Sequence, residues 1–317
     1  MPTVVRPMMA VSGESLPGDG WAYELKWDGV RAVAFLVGRG LRLQSRNLRD
    51  ITSRYPELGR LDGWPADGSA VLDGEVIAPD ESGVSRFERL QRRMHVAAPP
   101  ASLRAEVPVA FMAFDLLWLD GRGTEGLPYV ERRRLLEALP CPGPAWQVPR
   151  NRVGDGEALR QASRQLGVEG LVAKRLDSPY EEGRRSRHWV KVKNVRRQDM
   201  VVGGWLPGEG RRSSGLGALL VGYQGEGGLR YAGRVGSGFT DADLDRLGPV
   251  LGRMTRTASP FAPDPPLPRE VRRLARFVEP VMVVEVAFSE WTAGGTLRAP
   301  VYKGVRPDVA PSQVRRE

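Results

Sequence analysis

The feature that most constrains this chain is a succession of short apolar or alternating runs rich in β-branched and aromatic residues. They fall at residues 21–26 (WAYELK), 30–37 (VRAVAFLV), 41–45 (LRLQS), 70–78 (AVLDGEVIA), 108–119 (PVAFMAFDLLWL), 170–175 (GLVAKR) and 188–193 (HWVKVK). Several are joined by short turns, as antiparallel strands are. Helical periods occupy only residues 86–94, 131–139 and 156–167. That mixture predicts an α+β domain with sizeable antiparallel sheets.

The texture changes near residue 194. Short β-type runs follow at 200–206, 217–223, 229–236 and 281–288, broken by Gly turns and by one helical segment at 241–254. A Pro-rich loop at 259–268 leads to a short basic helix. Several short strands with one helix suit an OB-fold β-barrel. The expected division is therefore 1–195 and 196–317, with a flexible hinge near residues 195–198. No internal repeat is evident.

Composition narrows the chemistry. The single cysteine, Cys141 in a Pro-rich loop, excludes an internal disulfide framework and a multi-cysteine zinc site. Two histidines, His95 and His188, argue against a His-rich metal centre or a Ser-His-Asp triad. No apolar run approaches the ~20 residues of a membrane helix, and the start lacks the apolar stretch of a signal peptide. A net charge of +9 favours a polyanionic partner such as nucleic acid, although an Arg-rich composition accounts for it equally. Any chemistry therefore rests on Lys, Arg, Asp and Glu.

Five stretches could carry it. In residues 22–32, AYELKWDGVRA, Lys26 is either a solvated strand residue or a nucleophile. An ordinary Lys, of pKa ~10.4, is only about 0.1% neutral near pH 7.4, so a nucleophilic one needs neighbouring cations, metal or burial. Arg31, Arg46, Lys174, Lys191 and Lys193 are the cations the sequence offers. In residues 72–76, LDGEV, Glu75 either sits at a hairpin turn or presents a carboxylate to a ribose hydroxyl or a Mg2+ ion. The run 111–121 reads as a buried strand, from which Phe114 could offer a ring to a base. Glu169 and Lys174 are five apart, which places them on opposite faces of a regular strand. Lys191 and Lys193 share a face with Trp189, an arrangement suited to an anion between two ammonium groups.

Taken in order, Lys26-Trp-Asp-Gly, Ser45-Arg46-Asn47, Asp73-Gly74-Glu75, Phe114-Asp115, Glu169-Gly170 and Lys191-Val-Lys193 resemble the motif set of the covalent nucleotidyltransferases. That superfamily comprises ATP-dependent DNA ligases, RNA ligases and mRNA capping enzymes. Residues 49–58, 177–194, 214–223, 229–240 and 284–292 are most similar to the ligase module of the bacterial end-joining (LigD-type) DNA ligases, and the resemblance covers nearly the whole chain.

The resemblance implies a nucleotidyltransferase domain followed by an OB-fold domain, and an enzyme that seals nicks in duplex DNA. Lys26 would take AMP from ATP, pass it to the 5′-phosphate of a nick, and so activate that phosphate for the 3′-hydroxyl. Phe114 would stack on adenine, Glu24 would meet its edge, and Arg31 and Glu75 would contact the ribose. Lys174, Lys191 and Lys193 would serve the nucleotide, and Arg46 a phosphate of the nucleotide or of the nicked strand. Glu75 and Glu169 would hold Mg2+ or Mn2+. In the terminal segment 297–308, Arg298, Lys303 and Arg306 would orient pyrophosphate. The expected partners are nicked DNA and, if ends are joined, a Ku-like end-binding protein. The expected protein is a cytoplasmic, nucleoid-associated monomer without a membrane anchor, either a standalone ligase or an excised module, the leading Met1 favouring the former.

Two departures stand out. Leu48 occupies the place where the family often has Gly, which puts that turn in doubt. Val309 follows Asp308 where the family commonly has Lys. A basic, OB-containing nucleic-acid-binding protein without catalysis, and an RNA ligase or capping enzyme, are the competing readings.

Overall fold

The computed structural model describes residues 1–140, 142–208, 215–264, 266–292 and 294–317. Cys141, Ser214 at the head of the 214–223 stretch, and Pro265 in the Pro-rich loop lie outside the described residues. The chain divides into two compact units, Met1–Asn194 and Val195–Glu317.

The first unit holds two sheets. One has the order Met9–Ser12, Arg185–Lys193, Gly170–Arg175, Trp21–Leu25, Arg152–Val153, antiparallel except for the first pair. The other has the order Gly40–Ser45, Val30–Val37, Ser69–Ile77, Ala110–Leu119, Arg122–Gly123. Trp146–Gln147 adds to it in parallel, beside Ala110–Leu119. Side chains alternate across each strand, so the second sheet buries both faces. Val33, Phe35, Val71, Phe114 and Leu117 cluster with Trp189 of the first sheet and with Tyr180. Ala32, Ala34, Leu36, Leu72 and Val76 enter a larger core with Leu58, Leu136 and Trp146. Burial on both faces explains the apolar run from Ala110 to Leu117, which Asp115 alone interrupts.

In the second unit six strands form one antiparallel sheet. Its order is Gly228–Val235, Leu216–Gly225, Arg196–Pro207, Arg276–Phe288, Thr255–Arg256, with Val301–Val305 also paired to Arg276–Phe288. Helix Asp241–Arg253 starts on a capping box, Thr240 and Asp243 each satisfying the other's backbone N–H. Its Leu247 and Leu251 pack with Val202, Leu219, Val284 and Tyr302. Among the described residues the strand pairs do not close this sheet into a ring. Fold class and antiparallel sheets are as expected.

Several local expectations change. Ser69–Ile77 is one continuous strand, so Gly74 is not a hairpin turn and Glu75 is not at a strand edge. Strand Arg196–Pro207 begins inside the expected hinge and pairs at Arg196 with Phe288, leaving only residues 194 and 195 between strands. The helical period at 86–94 shortens to Phe87–Gln91. Strand Met9–Ser12 and helix Ala101–Glu106 carried no sequence signal. No helix among the described residues is long and apolar enough to cross a membrane.

Candidate functional site

The site lies where the two sheets of the first unit face each other. Register places Val172 beside both Glu24 and Lys191, and Lys174 beside Trp189. Glu24, Val172, Lys174, Trp189 and Lys191 therefore share one face of the first sheet, and Lys26 follows just past the end of its strand. From the second sheet, Arg31 pairs in register with Glu75. A cavity of about 230 Å3 opens between them, lined by these residues together with Arg46 and Phe114.

Phe114 reaches the cavity through a β-bulge. Asp73 is opposite Asp115 and Gly74 is opposite Ala113, so Phe114 has no partner and its ring is re-aimed. It lies mid-strand rather than at a strand end. Its buried neighbour Asp115 serves the scaffold, bonded to fully buried Arg132 at 2.7 and 3.1 Å.

Lys26 stands just past the end of its strand, its backbone N–H donating to Gly170 O at 2.8 Å. Its ammonium is hydrogen-bonded to Glu169 Oε2, while Lys193 Nζ lies 2.8 Å from Oε1 of the same carboxylate. Burial alone would raise the pKa of Glu169, but Lys26 and Lys193 outweigh it and hold it below the ordinary value. Lys191 is depressed by burial and by the charges of Lys26, Lys193 and Arg185. Glycines make this packing possible. A Cβ on Gly29 would lie 2.2 Å from Val76 O, and one on Gly170, at φ +151°, would lie 2.2 Å from Val192 O.

Glu75 behaves differently from Glu169. Burial pushes its pKa up to about 7, opposed by Arg31 and Lys26. Arg31 is clamped by Asp73, at 2.6 and 2.5 Å, and by Met8 O at 3.2 Å. The clamp holds its guanidinium 4.6 Å from the Phe114 ring centroid. Tyr180 Oη donates to Asp73 at 2.6 Å and completes the support.

Lys174 is 1% exposed. Its Nζ contacts Glu24 Oε2 at 2.9 Å and donates to Phe114 O at 2.8 Å, between the Trp189 and Phe114 rings. Burial lowers its pKa despite Glu24. Lys174 and Glu169 thus act on different partners. Glu169 precedes the strand Gly170–Arg175, so strand alternation does not apply to the pair.

The candidates do not all converge. Lys193 and Glu169 meet Lys26 but are not among the cavity-lining residues, whereas Arg46 lines the cavity from an exposed position. Arg298, Lys303 and Arg306 belong to the second unit. There Arg298 pairs with Glu290 at 2.6 Å and Arg306 with Asp199 at 3.1 Å and Asp308 at 2.8 Å, while Lys303 is exposed. The turn doubted at Leu48 does form. Leu48 sits at φ +62°, its N–H donating to Ser45 O at 2.9 Å, and Arg49 N–H donates to Ser45 Oγ at 3.1 Å.

The sequence missed Asp73, Tyr180, Tyr129, Arg133 and Arg185. Asp73 could have been found, since it lies two residues before Glu75 on the same strand face. Tyr129, which bonds Glu24 across 105 positions, carries no local signal. Among the described residues no three His, Cys, Asp or Glu gather in one place. Of the two carboxylates expected to hold a dication, Glu75 lines the cavity, while both oxygens of Glu169 are held by Lys26 and Lys193. Two carboxylates would suit a hard cation that completes its shell with phosphate oxygens and water.

Comparison with known proteins bears on this arrangement. Residues 7–193 match the family model of the ATP dependent DNA ligase domain, and residues 212–309 that of the ATP dependent DNA ligase C terminal region. The multifunctional non-homologous end joining DNA repair protein LigD of Mycobacterium tuberculosis is 44% identical over 313 residues, covering 98% of this chain. A DNA ligase of Natronomonas pharaonis is 34% identical over 97% of this chain. The chain spans 40% and 56% of the lengths of these two relatives. The crystal structure of the ligase domain from M. tuberculosis LigD is 42% identical, with TM-score 0.56, covering 99% of this chain and 98% of that one. A mycobacterial DNA ligase D complexed with ATP and MES is 40% identical, also with TM-score 0.56, over 99% of this chain.

Proposed function

Because the chain belongs to the ATP-dependent DNA ligase family, we propose that it seals nicks in duplex DNA through AMP carried on Lys26. The observation that carries this reading is the placement of Lys26 beside a cavity with an aromatic wall and a cationic rim. Phe114 and Trp189 supply the wall, Lys191 and Arg46 the rim, and Lys193 reaches Lys26 through Glu169.

In the first step Lys26 Nζ attacks the α-phosphorus of ATP. A P–N bond forms, the bond to pyrophosphate breaks, and the lysine loses its proton to solvent. Nucleophilic attack requires the neutral amine, so Lys26 has to leave Glu169. Lys191 and Lys193 stabilise the negative charge gathering on phosphate. Phe114 and Glu24 hold the base, and Arg31, fixed by Asp73, holds the ribose together with Glu75. A Mg2+ or Mn2+ ion held by Glu75, Glu169 and phosphate oxygens would neutralise phosphate charge. AMP then passes to the 5′-phosphate of the nick, and the 3′-hydroxyl displaces it.

Incubation with α-labelled ATP tests the first step. Label should stay on the denatured wild type and be absent from Lys26→Ala; an unlabelled wild type would refute the reading. Arg298, Lys303 and Arg306 orient pyrophosphate in this scheme. Alanine at Lys303 or Arg306 should suppress self-adenylylation while sparing the sealing of a pre-adenylylated nick. Nicked DNA should be preferred over nicked RNA. Its binding should weaken with salt by about 0.9 log units per log unit of salt for each phosphate contacted. The likeness to LigD also supports joining of broken ends, with a Ku-like protein as recruiter. Stimulation of end joining by such a protein, and a monomeric mass in solution, are the measurements that check it.

A further inference from the structure

With adenosine placed in this cavity, the hydrogen bonds around Glu24 bear on which base it accepts. Glu24 Oε1 accepts a hydrogen bond from Tyr129 Oη at 2.5 Å and lies 3.5 Å from Arg133 Nη1. Tyr129 and Arg133 are not among the residues lining the cavity. Oε2 contacts Lys174 Nζ at 2.9 Å, and Lys174 does line it. A carboxylate oxygen offers two lone-pair directions. Oε1 is committed to the interior, and Oε2 keeps one direction for a ligand beside Phe114. Asn151 Nδ2 donates to Tyr129 Oη at 3.1 Å, which leaves the phenolic proton for Glu24. Burial, and then the charge of Glu24, raise the Tyr129 pKa well above the usual tyrosine range, so the hydroxyl stays a donor.

The two purines differ in what they ask of such a site. Adenine presents one amino group, flanked by the bare acceptor N1. Guanine presents two adjacent donors, N1–H and the 2-amino group. A carboxylate with both oxygens open takes a donor pair side by side, as it does a guanidinium. A carboxylate with a single open direction serves one amino group and leaves guanine's second donor unpaired in a desolvated cavity.

We propose that Tyr129 is a positioning residue that sets the choice of base: by occupying Glu24 Oε1 it leaves the cavity one acceptor, matched to adenine and not to guanine. The inference rests on the ATP reading of the cavity and adds the residue responsible for its selectivity.

Calorimetric titration of the full chain with the α,β-methylene analogues of ATP, GTP and purine riboside triphosphate tests it, since these bind without transferring a nucleotide. The wild type should bind the ATP analogue about tenfold or more tightly than either of the others, the worth of one buried hydrogen bond. Tyr129→Phe should tighten the GTP analogue by about tenfold and change the ATP analogue by less than about threefold. A parallel loss for both nucleotides would mean that Tyr129 only supports the fold, and would overturn the proposal. Equal binding of purine riboside and adenosine analogues by the wild type would overturn it without recourse to any variant. Labelling with α-labelled ATP is run beside the titrations. A chain that selects the ATP analogue yet takes up no label supports the base choice and refutes the covalent chemistry. A chain that binds none of the analogues refutes both.

Discussion

The cations of the two units are held in opposite ways. In the first unit Lys174 and Arg31 are pinned by the buried carboxylates Glu24 and Asp73, and Lys26 and Lys193 share Glu169. These pairs were formed by folding, and the cavity's geometry follows from them. In the second unit Lys303 is exposed, and Arg306 and Arg298 rest on carboxylates at or near the surface. Surface pairs of that kind contribute about 0–1 kcal/mol and exchange readily for a phosphate. The contrast is sharpest for Lys174 and Arg31, whose partners are buried, against Lys303, which is exposed.

The strongest way to break this contrast is to remove single cations and compare. Lys26→Ala should lower retention of label from α-labelled ATP by at least about a thousandfold, because in the proposed mechanism Lys26 forms the P–N bond. Retention above background would show another nucleophile. Next, Lys174→Met should destabilise the first unit by roughly 1–3 kcal/mol, since it leaves the buried Oε2 of Glu24 without its partner while Tyr129 and Arg133 still hold Oε1. Lys303→Ala should stay within about 0.5 kcal/mol of wild type. Urea unfolding of each variant measures both, and similar losses would erase the distinction.

A subtler test uses pH. The folded pKa of Glu75, about 7, lies above its ordinary value of 4.5. Between those values the folded protein binds the extra proton, so stability falls as pH rises through this window. Glu75→Gln removes the penalty. It should stabilise the protein by roughly 1–3 kcal/mol at pH 8 and by clearly less at pH 5. Denaturation at the two pH values decides, and an equal gain at both would place the cause elsewhere. The smallest effect concerns Leu48. Its left-handed backbone costs about 1–2 kcal/mol, partly offset in Leu48→Gly by the flexibility of glycine when unfolded. A net gain of about 0.5–1 kcal/mol is expected in thermal unfolding, and a loss would show that the leucine side chain holds the turn.

Much of this was open to inspection in the chain itself. Alternating apolar runs specify strands because side chains point to opposite faces, and nearly every long strand lies within a few residues of its expected place. The order Lys26, Glu75, Phe114, Glu169, Lys191 pointed to groups that line the cavity or, for Glu169, meet Lys26 beside it. Where the sequence erred, distant structure had overruled local grammar. Gly74 reads as a turn, yet it is the strand position whose missing side chain lets the Phe111 ring pack at 2.4 Å from where a Cβ would stand. Leu48 reads as unfit for its turn, yet Ser45 closes that turn around it.

The sequence by itself determined most of the long strands and which functional groups are available, since both follow from composition and spacing along the chain. Tertiary structure alone decided how those groups are paired. Whether Glu169 or Glu24 answers a given lysine, whether Glu75 is ionised at neutral pH, and whether Tyr129 reaches Glu24 all depend on contacts between strands and helices far apart in the chain. Burial and charge–charge interaction act through space, so the sequence names the groups and only the fold sets their energies.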